Sequence, residues 1–292
     1  MSTPILFITT TLIWGSTWLA IKGQLGVVSP ITSVTYRSAM AAVILLALCW
    51  KRGVSLRFPW RMHLALAGQG AFLFSLNYVC VYVAEQYVSS GLVGVLFSSL
   101  SILNIFGAYL LFRMPMSAGA VLGSVLGVAG ITLMFFPEFV SMDQHPQLTK
   151  GMGMGVLGIL FACVGNLLAI HTQREKVPIL SGATWGMVYG TAISALVGVA
   201  MGVSWAVDLS PLYLLSLLYL SLFGSIVAFL CYLTLLGREG PGPASYVNVL
   251  TPVVALLLST LFENYQWTGM AAAGAALAFS GNFFILRKPK RN

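Results

Sequence analysis

Long apolar blocks alternate with short polar linkers along the whole chain. A hydrocarbon core of about 30 Å takes about 20 helical residues to cross, which is the length of these blocks. The blocks show no period-two alternation, and in lipid a backbone must satisfy its own hydrogen bonds, so each block is predicted to be a membrane-spanning helix. The ten blocks are residues 4–22, 31–50, 63–83, 88–112, 117–136, 152–172, 180–203, 210–236, 242–262 and 267–286. The pattern predicts an all-α integral membrane protein with ten transmembrane helices.

The few charges strengthen this prediction through their positions. Of 292 residues, 58% are hydrophobic and 8% charged, too little charge to coat a soluble surface. Twelve of the 15 lysines and arginines fall on the side that takes both termini and the loops after even-numbered spans. The positive-inside rule therefore puts both termini in the cytoplasm, and the net charge of +8 belongs to loops rather than to a nucleic-acid-binding face.

The two halves of the chain resemble each other. The longest polar segment, Pro137 to Lys150, separates five blocks from five blocks. A shift of about 150 residues brings Tyr78 onto Phe229 and Gly15 onto Gly165. An odd number of spans per repeat inverts the second copy, a device of secondary transporters. We expect a first five-helix repeat at 1–137, a linker at 138–150, and a second, inverted repeat with a basic tail at 151–292.

Several short motifs carry a resemblance to a known family. The motifs that carry this resemblance are Trp14-Gly15-Ser16 in the first span, Thr251-Pro252, and Leu261-Phe262-Glu263 near Gly269. Through them the chain resembles the drug/metabolite transporter superfamily, and it most closely resembles the ten-span exporters of that superfamily with paired EamA-type domains. The chain is most similar to the bacterial aromatic amino acid exporters. It departs from the pattern at Arg113, where the family usually has a glutamate. The resemblance implies export of small metabolites across the bacterial inner membrane.

Polar and aromatic residues within the spans are candidates for a substrate cavity near the midplane, where inverted-repeat transporters bind. Some of these residues belong to stripes of small residues, which fit helix packing as well as cavity lining. Tyr82 lies close enough to a span end to belong instead to an interfacial aromatic belt. Aromatic walls with hydroxyls and amides suit a zwitterion with an apolar side chain. The candidates are Trp14, Ser16, Trp18, Arg37, Asn77, Tyr78, Tyr82, Ser98, Ser101, Asn166, Asn248 and Thr251.

Charged and titratable residues in or near the spans suggest where a carboxylate or a proton could bind. Arg37 is the one full charge clearly inside a span; it either clamps a carboxylate or snorkels to the outer interface. His171, Glu85 and Glu263 are candidates for proton coupling, although the position of His171 near Arg174 favours an interfacial role for it. The spans contain no mid-membrane acid, which disfavours a proton-coupled cation exporter.

The sequence thus predicts a secondary transporter that exports amino acids, aromatic or other neutral ones, by alternating access. A channel-like facilitative pathway, or export of drugs or other metabolites, stays open. An intramembrane enzyme is disfavoured because no HExxH, paired membrane aspartates or nucleotide-binding loop occurs. The four cysteines lack metal-ligand spacing, and no cofactor or metal is expected. The expected partners are a small-molecule substrate and lipid, with a monomer as the working expectation.

Overall fold

The computed structural model describes residues 1–114, 116, 118–134, 136, 146–244 and 247–286. These residues form long helices and no strand. We number the helices α1 Thr3–Lys22, α2 Pro30–Lys51, α3 Trp60–Ala84, α4 Ser90–Phe112, α5 Ala118–Met134, α6 Pro146–Arg174, α7 Ile179–Ala200, α8 Pro211–Glu239, α9 Val247–Phe262 and α10 Gly269–Leu286. One further helical turn, Pro241–Ala244, precedes α9.

Each predicted block overlaps one of these helices. Among the described residues, seven helices are long and apolar enough to cross a membrane, and shorter apolar stretches lie in α5, α9 and α10. The count of ten spans stays a prediction. Large apolar side chains such as Leu111, Leu196 and Leu215 are exposed on the outside of the bundle, where a soluble protein would place polar ones.

The sixth helix begins earlier than the sequence predicted. Residues 146–150 of the expected linker are helical, since α6 starts at Pro146. Proline fits the first turn of a helix because its missing N–H would have no partner there. The basic tail from Arg287 onward, and Glu138 and Asp143 in the linker, lie outside the described residues.

Two helices widen into π-helical turns at their middles. Residues Phe72–Leu76 of α3 and Leu220–Val227 of α8 have this geometry. The two segments correspond when the sequence is shifted by about 150 residues. A π-helical turn is rare and frequently occurs at functional sites, because the extra residue turns neighbouring side chains in new directions.

Helices of the first half pack mainly on helices of the second. α1 lies against α8 and α9, and α6 lies against α3 and α4, so the first helix of each half packs on the third and fourth of the other. α2 packs on α7, and α5 on α10. Any space among the central helices is therefore lined by both halves.

Glycines allow these helices to approach closely. A Cβ on Gly15 of α1 would lie 2.4 Å from Val254 Cβ in α9, and a Cβ on Gly165 of α6 would lie 2.5 Å from Leu73 Cβ in α3. In the α5–α10 contact, a Cβ on Gly130 would lie 2.4 Å from the backbone N of Ala278. Such small-residue contacts are the usual way in which membrane helices associate.

Candidate functional site

A cavity of about 80 Å³ lies among α1, α3, α4, α6, α8 and α9. Seven of the twelve predicted lining residues surround it: Trp14, Trp18, Asn77, Tyr78, Asn166, Asn248 and Thr251. The other lining residues are Thr17, Ile21, Leu73, Val81, Gly94, Phe97, Leu100, Ala162, Phe229, Tyr232 and Pro252.

Helical periodicity explains why these side chains meet. Trp14, Thr17, Trp18 and Ile21 are spaced at three, four and seven residues from Trp14, which is one face of α1. Trp14 is anchored, because its indole Nε1 donates to the carbonyl of Gly224 at 3.3 Å. The aromatic wall is thus formed jointly by α1 and α8.

Aromatic rings from the second half complete that wall. The centres of the Phe229 and Tyr232 rings both lie 4.9 Å from the Trp14 ring. Neither residue is among the cavity candidates predicted from the sequence. The repeat register was the signal that could have found Phe229, since it falls on Tyr78, and Tyr232 follows Phe229 by three residues on the same helix face.

Buried polar atoms beside the cavity lack a protein partner among the described residues. They are two donors, Trp18 Nε1 and Asn248 Nδ2, two acceptors, Asn77 Oδ1 and Asn166 Oδ1, and the Tyr232 hydroxyl, which can donate or accept. A buried polar group without a hydrogen bond costs about 1–3 kcal/mol. The cavity therefore offers both donors and acceptors to a polar molecule that enters it.

Arg37 lies immediately behind the cavity wall. The alternative interpretation of its sequence position, that Arg37 snorkels to the outer interface, is wrong. Only 1% of the residue is exposed. Its Nε donates to Ser225 Oγ at 2.7 Å and its Nη2 donates to the Tyr78 hydroxyl at 3.0 Å. The guanidinium carbon also lies 4.0 Å from the centre of the Tyr78 ring, a cation–π contact.

The π-helical turn of α8 makes room for this arginine. A Cβ on Gly224 would lie 3.0 Å from Arg37 Nη2 and 2.9 Å from Thr17 Cγ2. The next residue, Ser225, supplies the hydroxyl that accepts from Arg37. The guanidinium thus contacts Tyr78, which lines the cavity, and reaches the backbone of α8 beside Thr17.

Four other predicted residues do not line the cavity. Ser16 bonds the Tyr219 hydroxyl at 2.6 Å instead. Tyr82 is fully buried and donates to Gln24 Oε1 at 2.5 Å, so it is not part of an interfacial belt. Ser98 and Ser101 are buried in α4 outside the lining. For these two serines the packing alternative fits the structure better than the cavity prediction.

A polar group, which we call the capping cluster, lies beyond one end of the cavity and consists of Lys22, Glu85, Ser90 and Glu263. Lys22 Nζ is 3.8 Å from Glu263 Oε1 and donates to the carbonyl of Glu85 at 2.6 Å. The hydroxyl of Ser90 donates to the other Glu263 oxygen, Oε2. Lys22, Glu85 and Glu263 follow the cavity-lining residues of α1, α3 and α9 within a few turns, and Ser90 precedes those of α4 by about one turn. The cluster therefore ties together the ends of four helices that surround the cavity.

Glu85, the first residue beyond α3, is fully buried and neither carboxyl oxygen has a described partner. Burial raises the pKa of this carboxyl well above its usual value. The charge of Lys22 lowers the pKa, that of Glu263 raises it, and that of Arg37 lowers it, each less than burial does. Burial therefore favours the protonated form of Glu85.

The third coupling candidate is at the opposite end of the bundle. His171 lies half-buried in the last turn of α6, on the end that also carries Met1 and Arg238, which are hydrogen-bonded at 3.1 Å. A second cavity of about 500 Å³ opens at this end, lined in part by Arg174, Lys176 and Arg238. The structure thus separates His171 from the two glutamates by the length of the bundle.

The helical bundle, its apolar outer surface and its central aromatic–polar cavity define a multi-pass membrane protein with a small-molecule site. The family model of the EamA-like transporter family matches residues 1–136 and 149–287. The chain therefore belongs to the EamA-like transporter family. It is a membrane transporter of small metabolites and not an enzyme, and its environment is membrane lipid. No group of three or more histidine, cysteine or acidic side chains that could hold a metal occurs in the described part of the chain.

Curated relatives are similar over nearly the whole chain. The "Uncharacterized inner membrane transporter YedA" of Escherichia coli strain K12 is 27% identical over 95% of this chain and 90% of its own. "Protein PagO" of Salmonella typhimurium is 24% identical over 91% of this chain and 86% of its own. "Protein PecM" of Dickeya dadantii is 24% identical over 94% and 88%. One solved crystal structure has the same fold, with a TM-score of 0.75 at 19% identity over 100% of this chain and 99% of that chain.

Proposed function

We propose that the protein exports amino acids, aromatic or other neutral ones, across the bacterial inner membrane by alternating access, with both termini in the cytoplasm. The observation that carries the proposal is the central cavity, whose aromatic wall is joined by two donors, two acceptors and one hydroxyl that lack a partner among the described residues. An amino acid presents the complementary set: an apolar side chain, a carboxylate that accepts hydrogen bonds, and an ammonium that donates them.

The size of the cavity favours a site that opens and closes. At about 80 Å³ the space is well below the roughly 300–1,000 Å³ typical of pockets for small organic ligands. Helix movement must therefore enlarge it before an amino acid enters. The exchanged packing of the two halves, α1 on α8 and α9 and α6 on α3 and α4, supports an inverted repeat that can make such a movement.

The charges at the two ends support the orientation. The larger, basic cavity with Arg174, Lys176 and Arg238 is at the end that the positive-inside rule assigns to the cytoplasm. The capping cluster then lies at the outer end, where it closes the central cavity from outside.

The test is transport by the purified protein in liposomes. Labelled phenylalanine, tyrosine, tryptophan, leucine and alanine are offered from outside to vesicles preloaded with the same unlabelled amino acid. Saturable counterflow of at least one of them is expected, whereas a channel gives flux without counterflow. If none moves and a sugar phosphate or a lipophilic cation does, the substrate class is wrong.

Two variants connect flux to the cavity. Asn248→Ala removes an unpartnered amide from the wall and should reduce counterflow severalfold. Tyr87→Ala is the control, because Tyr87 does not line the cavity and instead pairs with Lys150. Equal effects of the two variants would remove Asn248 from the binding site.

A further inference from the structure

Arg37 carries a buried positive charge that no carboxylate of the described residues balances at close range. The guanidinium is always protonated, and a buried unpaired charge is costly. The acid–base pair within 4 Å among the described residues is Lys22–Glu263, which does not include Arg37. Ser225 and Tyr78 accept from the Nε and Nη2 of Arg37, and its Nη1 has no partner in the described part of the chain. The arginine therefore retains capacity for an acceptor.

Glu85 has a carboxyl group that could balance the charge of Arg37 when it is ionised. It follows the last turn of α3 on the face that lines the cavity. It follows Tyr78 by seven residues and Val81 by four, so the three side chains share one helix face, and both Tyr78 and Val81 line the cavity. Yet both its carboxyl oxygens are buried with no partner among the described residues, an environment that disfavours an ionised carboxylate.

The groups that face Glu85 come from every helix around it. Lys22 of α1 donates to its backbone carbonyl, Glu263 follows α9, and the charge of Arg37 on α2 acts on it electrostatically. Tyr82, on α3 itself, interacts with both Arg37 and Glu85. On α4 the neighbour is the uncharged Ser90, which is engaged with Glu263. On α6, Lys150 is engaged with Tyr87. Burial thus favours the uncharged form of Glu85 most strongly, and the charged groups that act on it are Lys22, Glu263 and Arg37.

We propose that Glu85 and a carboxylate on the transported molecule compete for the positive charge of Arg37, so that a proton on Glu85 and a carboxylate in the cavity bind together. When Glu85 holds a proton, Arg37 is uncompensated and the cavity attracts an anionic group. When Glu85 loses that proton, its own carboxylate balances Arg37 and the attraction falls. The inference rests on the proposed function for the location of the substrate, and it adds the substrate's carboxylate and the linked proton.

Calorimetric binding to the purified protein tests the inference with three probes of one skeleton: 3-phenylpropionate, 3-phenylpropanol and 3-phenylpropylamine. The carboxylate should bind about tenfold or more tightly than the alcohol at about pH 5.5, as expected for a charge-assisted hydrogen bond, and the amine should bind most weakly. The affinity of the carboxylate probe should fall about tenfold or more between about pH 5.5 and about pH 8.5, because each bound anion is linked to as much as one proton. The affinity of the alcohol should change little.

Two variants separate the parts of the linkage. Glu85→Gln imitates the protonated acid, so the carboxylate should bind tightly at both pH values. Arg37→Gln should abolish the preference for the carboxylate, while Arg37→Lys, which keeps the charge, should keep part of it. A wild-type protein that binds carboxylate and alcohol equally, or an unchanged pH dependence in Glu85→Gln, would overturn the inference. If Arg37→Gln does not fold, the pH profile of Glu85→Gln still decides.

Failure of the proposed function gives a different result. Carboxylate-selective, pH-linked binding without counterflow of any amino acid would contradict amino-acid transport and leave the linkage standing. Amino-acid counterflow with no carboxylate preference in binding would contradict the linkage and leave the proposed amino-acid transport standing.

Discussion

Breaking the capping cluster should open the cavity at the end where the cluster lies. Lys22 and Glu263 are 30% and 13% exposed, and such partly exposed pairs contribute up to about 1 kcal/mol. Glu263→Gln removes the charge but keeps an acceptor for Ser90, so it should shift the closed–open equilibrium by about fivefold. Glu263→Ala also removes the hydrogen bond to a charged group, about 1.5–3 kcal/mol more, and should shift the equilibrium by more than about thirtyfold.

Cysteine labelling measures this opening. Thr251 lines the cavity and is 5% exposed, so Thr251→Cys reports access from outside to a membrane-impermeant maleimide. The four native cysteines are all buried and are replaced by alanine in this background. In spheroplasts the labelling rate should rise in the order wild type, Glu263→Gln, Glu263→Ala.

Charge reversal and a nearby lysine supply the controls. The double variant Lys22→Glu with Glu263→Lys should label more slowly than either reversal alone, because opposite charges face each other again. Lys150→Gln removes a charge at the same end, but one that pairs with Tyr87 away from the cluster, and should label like wild type. The gate interpretation is refuted by an unchanged rate in Glu263→Ala, or by a rate in Lys150→Gln that matches it.

Stability measurements on the detergent-solubilised protein give two further tests. Burial raises the folded-state pKa of Glu85 above its unfolded value, so the contribution of this acid to stability is fully present at low pH and is lost as pH rises through the folded pKa. The variant Glu85→Gln should therefore unfold at nearly the wild-type temperature at about pH 5 and at a higher temperature than wild type at about pH 9. The reverse order would mean that the buried acid is ionised. Gly165→Ala should destabilise by about 1–3 kcal/mol because its Cβ would meet Leu73 at 2.5 Å, whereas Gly153→Ala in the same helix meets nothing within 4 Å and should be neutral or slightly stabilising in thermal unfolding.

The helices could be predicted from sequence because their signal is local. An apolar block of about 20 residues has one stable backbone conformation in lipid, so the existence of α1 to α10 follows from each segment alone. Helix ends are harder to predict, because they depend on a few residues. The helix α6 begins at Pro146, so the last five residues of the expected linker, 146–150, are helical. The family assignment was also accessible, because the resemblance extends over both halves and the EamA-like model matches 1–136 and 149–287.

The cavity could be predicted only in part, because polarity on a helix face does not say what covers it. Asn248 and Ser98 belong to corresponding stripes of α9 and α4, yet Asn248 lines the cavity and Ser98 is buried in packing. The environment of Arg37 was hidden for a similar reason. Its distance from the span end allowed snorkelling, and only the fold brings Ser225, 188 residues away, within 2.7 Å of it.

The π-helical turns connect these partial successes. In a regular α8 the side chains would follow a period of 3.6 residues, and a sequence pattern based on that period misplaces residues around Leu220–Val227. That segment provides the acceptor for Arg37 at Ser225 and the carbonyl for Trp14 at Gly224. The corresponding turn in α3, Phe72–Leu76, precedes Asn77 and Tyr78 on the opposite wall. Each half therefore departs from regular helix next to the cavity, and the two departures orient the aromatic and charged groups that the proposed transport requires.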